Sequence, residues 1–115
     1  MTEKQDPHAG AFEQALAHHH AGDLRAACEG YYAILERDGN YALAHQNLID
    51  IHLRSDAPTK ALDHALTFVE LQPEVPEAHH NLGVIYSQLE EPKSAAAAFE
   101  RALTRNPEFV QAHLE

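Results

Sequence analysis

The chain has 115 residues, of which 44% are hydrophobic and 23% charged, a length and composition that fit one domain with a buried core. Its 18 acidic residues against 8 basic ones leave a formal charge of −10, which sets aside nucleic acid and anionic membrane surfaces as partners, since both demand clustered Lys and Arg. No apolar run is long enough to cross a bilayer and no charged-then-apolar start reads as a secretion signal, so a cytoplasmic protein, or a soluble piece of a larger one, is expected.

Residues 1–7 read as a flexible N-terminus that ends in Asp6-Pro7, a helix start with Asp6 as N-cap and Pro7 in the first turn. A helix over 8–21 follows, with Phe12, Ala15, Leu16 and His19 on related faces. Gly22-Asp23 turns the chain into a second helix over 24–37, which buries Leu24, Ala27, Tyr31, Ile34 and Leu35. Gly39 stands where a left-handed residue closes a helix, a conformation glycine takes cheaply. A third helix over 41–54 turns Ala44, Leu48, Ile51 and His52 inward, and Ser55–Pro58 is the next turn. The fourth helix, over 58–71, buries Ala61, Leu62, Ala65, Phe68 and Val69, and Gln72-Pro73 ends it.

Val75-Pro76 opens a third pair. Leu82, Val84, Ile85, Tyr86 and Leu89 recur at helical spacing before a turn at Glu90–Pro92, and Ala95, Ala98, Phe99, Ala102 and Leu103 recur after it. Pro107 stops the last helix, because the residue before a proline is pushed out of the α region. From Pro107 to His113 the sequence echoes Pro73 to His79. Residues 110–115 therefore read as the start of a fourth repeat or a capping segment. Two turns of helix do not hold themselves in water, which favours an excised fragment over a native end.

The set Leu82-Gly83-x-x-Tyr86, Ala95, Phe99, Ala102 and Pro107 resembles the tetratricopeptide repeat, a helix–turn–helix unit with a 34-residue period. One period upstream stand Leu48, Ala61 and Pro73; one further, Gly22, Ala27, Tyr31 and Gly39 take the turn, small, aromatic and terminator slots. Gln14 and Ala15 replace the Leu-Gly pair there, so the first copy is the weakest match. The resemblance implies an all-α solenoid of three antiparallel helix pairs, over 8–41, 42–75 and 76–109, wound as a right-handed superhelix. It implies that Ala27, Ala61 and Ala95 let the paired helices approach closely. It also implies that Tyr31 and Phe99 fill space between repeats, with Phe68 compensating for Ala65 in the second copy.

No catalytic motif stands beside this pattern: there is no phosphate loop, dinucleotide fingerprint or hydrolase elbow. Cys28, the one cysteine, has no glycine-rich elbow near it and reads as an inert thiol that suits a reducing compartment. Glu90-Glu91 lies in a turn and faces water. The run His18-His19-His20 points in three directions about 100° apart on a helix, so it does not close on one ion. His45, His79 and His113 recur once per repeat, about 8–10 Å apart in a stack, too far to share a metal at about 2.0–2.1 Å. They are expected to be half-buried packing residues, and no His-x-x-x-His pair occurs. Neither a metal nor a cofactor is expected, and the chain is not expected to be an enzyme.

What remains is surface. The resemblance implies a concave groove lined by the first helix of each pair, and carrying the family's slots across gives three sets of residues. The first copy contributes Ala9, Phe12, Leu16, His19 and His20. The second contributes Leu43, Gln46, Asn47, Asp50, Leu53 and Arg54, and the third Glu77, His80, Asn81, Val84, Ser87 and Gln88. Asn47 and Asn81 suit a partner's backbone, since each amide offers a donor and an acceptor. Family members that grip the acidic tail of heat-shock chaperones use two Asn and three basic groove residues. The matching slots here are Phe12, Leu16, Asn47, Glu77 and Asn81, so that ligand is not expected. The expected role is a non-catalytic scaffold for a neutral or basic peptide or helix with apolar anchors. A homodimer through an uncapped C-terminal face, and the targeting arm of a larger enzyme such as a transferase, are the alternatives.

Overall fold

The computed structural model describes residues 6–106. Six α-helices and no strand occur among them. The chain divides into two compact units, residues 1–44 and 45–115, with the boundary in the first turn of the third helix. Residues 1–5 of the expected flexible N-terminus, Pro107 as helix stop, the echo over 107–113 with His113, and the segment 110–115 all lie outside the described residues.

In the first unit α1 spans Ala9–His20 and α2 spans Leu24–Arg37. Helix α1 starts later than predicted, with His8 rather than Asp6 at the N-cap. Asp6 acts one step earlier: its Oδ1 accepts from the His8 amide at 2.8 Å, and its other oxygen accepts the Tyr41 hydroxyl. Asp23 caps α2, accepting from the Ala26 amide at 3.2 Å. The pair is close-packed through small residues, since a Cβ on Gly30 would lie 2.8 Å from that of Ala15. Tyr31 is buried between the helices, its ring 5.7 Å from Phe12 and 5.8 Å from His19.

Gly39 is not left-handed, contrary to the sequence expectation. Helix α2 ends on an extended Asp38 (φ −146°), whose carboxylate accepts from the Asn40 amide at 3.1 Å and makes the turn that glycine was expected to make.

Helix α3 spans Ala42–Arg54, and the second unit holds it from His45 on, with α4 (Pro58–Leu71), α5 (Pro76–Gln88) and α6 (Pro92–Arg105). Helices α4, α5 and α6 each begin on a proline, whose missing amide costs nothing in a first turn. The unit's buried apolar residues include Leu48, Ile51, Phe68 and Ile85, and Phe99 forms a cluster with Ala95 and Ala102. Tyr31 touches Phe12 and His19 of α1, and Phe99 touches Gly83 and His80 of α5, so each fills space inside its own pair.

Ala27, Ala61 and Ala95 are 0%, 0% and 4% exposed, one on the second helix of each pair. The turns between paired helices are also alike. Beyond α1, Asp23 donates to the His18 carbonyl at 2.9 Å and Gly22 to the His19 carbonyl at 3.1 Å. Ala57 and Asp56 do the same beyond α3, and Glu91 and Glu90 beyond α5. This is the Schellman arrangement, and its left-handed residue is Gly22 (φ 87°), Asp56 (φ 56°) and Glu90 (φ 62°) in turn.

Candidate functional site

Helices α3 and α5 are the first members of their pairs, and α5 and all of α3 from His45 on belong to the second unit. Gln46, Asn47, Ile49, Asp50 and Leu53 of α3 and Glu77 and Asn81 of α5 surround one open cavity of about 320 Å³. Six of these seven are groove residues named from the sequence; Ile49 is the addition. They gather because positions three, four and seven apart on a helix share a face. The cavity is cross-braced by Gln46, whose Nε2 donates to Glu77 Oε1 at 3.3 Å. At its rim Asp50 pairs with Arg54 one turn on, Oδ2 to Nε 3.1 Å. Two carboxylates against one guanidinium leave the mouth net acidic, and three side-chain amides sit between them. Such a surface offers hydrogen bonds to a peptide backbone and attraction to a cation.

The other predicted groove residues divide. Leu43 is exposed on the first turn of α3, and Ser87 and Gln88 are exposed at the end of α5. His20 is exposed and Leu16 half-buried on α1. Three residues have contacts within their own helix pair. His19 is buried, its Nδ1 2.9 Å from the Tyr31 hydroxyl. Val84 packs on the cluster of Ala95, Phe99 and Ala102. Phe12 is half-buried between Tyr31 and Tyr41, with ring centroids 5.7 and 5.8 Å away. His80 stands against Phe99 at 5.5 Å. Two more cavities, of about 290 and 420 Å³, lie in the first unit and touch none of the predicted groove residues. The larger is walled mostly by Ala11, Ala15, Ala26, Gly30 and Ala33, which offer a ligand few directional contacts.

The repeat-spaced histidines are more deeply buried than expected, His45 7% and His79 5% exposed. His79 Nε2 donates to the Pro73 carbonyl at 2.8 Å, and Arg105 Nε reaches the same oxygen at 2.6 Å. Together they tie the end of α4 to α5 and α6. Sequence reasoning passed over His64, which meets both His45 and His52. The available signal was that His45 and His52 share one face of α3 at a spacing of two turns, a face the partner helix must answer. No group of three His, Cys, Asp or Glu side chains that could hold a metal ion occurs among the described residues, and no helix among them is long and apolar enough to cross a membrane.

The family model of the tetratricopeptide repeat matches residues 76–109. No curated protein matches the sequence. Among solved structures, a crystal structure of MamA protein is similar with a TM-score of 0.86 and 23% identity, over 91% of this chain and 57% of that one. A MamA structure, 41-end, from Desulfovibrio magneticus RS-1 is similar with a TM-score of 0.84 and 21% identity, over 90% of this chain and 58% of that one. The first TPR of Spaghetti (RPAP3), bound to the HSP90 peptide SRMEEVD, has a TM-score of 0.86 and 18% identity, over 92% of this chain and 84% of that one. The chain thus spans somewhat over half the length of the MamA structures. At such identities the likeness is one of fold. The repeat is in general a non-catalytic interaction module. Residues 76–109 match the tetratricopeptide repeat, and the helix pairs of this chain take that family's all-α fold.

Proposed function

We propose that the chain is a non-catalytic scaffold that holds a peptide or helix against α3 and α5. What carries the reading is that Gln46, Asn47, Asp50, Leu53, Glu77 and Asn81 surround a single cavity. The amides fix the partner's backbone, Leu53 receives an apolar anchor, and Asp50 and Glu77 favour a neutral or basic sequence. The RPAP3 domain, bound to a peptide ending in EEVD, lends support to peptide binding by this fold. An acidic tail of that kind is not the ligand proposed here, because Glu77 would repel it. A lone cysteine and the acidic balance go with a cytoplasmic setting.

The test is selection of peptides from a random library on the purified chain, followed by titration calorimetry. Replacing both Asn47 and Asn81 with Ala is expected to weaken the selected peptides about tenfold or more, roughly 1.4 kcal/mol, without moving the melting temperature. Asp50→Asn with Glu77→Gln is expected to weaken the basic ones selectively. Unchanged affinity in both double variants would remove the groove.

A further inference from the structure

Three histidines meet where α3 faces α4, and nothing in the groove uses them. His45 and His52 lie two turns apart on α3, both buried, and the half-buried His64 of α4 stands against the two. Nδ1 of His45 and Nδ1 of His64 are 3.1 Å apart. The His64 ring lies nearly parallel to that of His52, at 5.6 Å and 13°. The nitrogen–nitrogen contact is an N–H···N hydrogen bond, so one of the two atoms must be bare. A cationic His64 could still donate across this contact, but its charge would lie half-buried against two further imidazoles.

We propose that this cluster is an acid-sensitive seam. Protonation of His64 beside its neighbours parts α4 from α3, the helix whose other face carries Gln46, Asn47 and Asp50. The groups that bear on His64 are His45 and His52 from α3 and Asp63 from its own helix, while Lys60 of α4 bears on His52. Helix α5 also packs on α4. Of these only Asp63 favours a cationic His64. Burial opposes it, then the two histidines, and they hold His64 down at about 4. Burial, then Lys60, lowers His52 as well. Groups held below their ordinary range must take up protons when the seam opens. The seam is therefore closed above about pH 6.5 and weakens as the pH falls toward about 4. Its opening stands by itself; only the loss of a ligand on opening rests on the groove reading.

The experiment is amide hydrogen exchange on the full chain at steps from pH 7.5 to 4.5, corrected for the intrinsic rate, in wild type and in His64→Phe. Phenylalanine keeps an aromatic ring between His45 and His52 and carries no proton. In wild type, protection over 45–54 and 58–71 is expected to fall about tenfold or more between pH 7 and pH 5, since one extra proton bound by the open form gives up to tenfold per pH unit. Over the same range His64→Phe is expected to lose at least about threefold less protection than wild type, since only the lowered His52 is left to take up a proton. Equal losses in the two proteins, or none in wild type, overturn the proposal. If His64→Phe fails to fold by circular dichroism, the wild-type imidazole resonances decide. A His64 midpoint well below 6.5 sustains the seam, and one at or above 6.5 overturns it.

Discussion

Gly83 of α5 and Phe99 of α6 lie against one another so closely that a Cβ on Gly83 would sit 2.6 Å from Cζ of the ring. No real Cβ contact is that short, so any side chain at 83 must move the ring or the helix. Gly83→Ala is therefore expected to destabilise the chain by about 1–3 kcal/mol, measured by urea unfolding. Adding Phe99→Leu should recover part of that loss, and a double-mutant cycle isolates the coupling. Additive losses would mean the two residues do not share the space. In the second pair the matching positions are Ile49 and Ala65, both buried, with the large and small partners exchanged.

The left-handed turn residues predict an asymmetry. Gly22 takes φ 87° freely, whereas Glu90 is held at φ 62° and Asp56 at φ 56°. Glu90→Gly is expected to stabilise by up to about 1 kcal/mol, because relief of the strain exceeds the added unfolded-state entropy. Asp56→Gly should gain less, since Asp tolerates that region better. Gly22→Ala should cost about 1 kcal/mol. Calorimetric melts of the three variants give the comparison, and a Glu90→Gly protein that melts lower contradicts it.

Tyr41 and Asp6 report on how the N-terminal residues are held. Burial, then the hydrogen bond to Asp6, raises the Tyr41 phenol to about 12. The same bond, then the His8 amide, lowers the Asp6 carboxyl. The sign follows from each shift. The phenol's contribution is present below its ordinary value of 10.0 and is lost as pH rises toward about 12. The carboxylate's contribution is present above 3.8 and is lost as pH falls below it. A carbon-13 titration of the Tyr41 ring should show a midpoint near 12, moving down in Asp6→Ala. An unmoved midpoint would separate the two groups.

Ala61 is fully buried and Ala95 nearly so, each on the second helix of its pair. Leu at either position adds three carbons to a buried site. A loss of about 1–3 kcal/mol in urea unfolding is expected for each. Val at 61 should cost less than Leu if volume is the cause, and an Ala95→Leu protein with wild-type unfolding would deny the close approach at that joint.

The helix pairs were legible because their causes are local. Side chains three and four apart define a face, prolines open helices, and a 34-residue recurrence sets equivalent residues in equivalent turns, as Gly22, Asp56 and Glu90 are. Much of the groove on α3 and α5 was legible for the same reason: Gln46, Asn47, Asp50 and Leu53 share one face whatever lies behind it. What lies opposite a slot was not legible from its own helix: His19 meets the Tyr31 hydroxyl and Val84 packs on the α6 cluster. Gly39 looked like a helix stop until the Asp38 carboxylate made the turn. The meeting of His64 with His45 and His52 belongs to packing alone, because nothing in a residue's own helix says which ring will stand across from it.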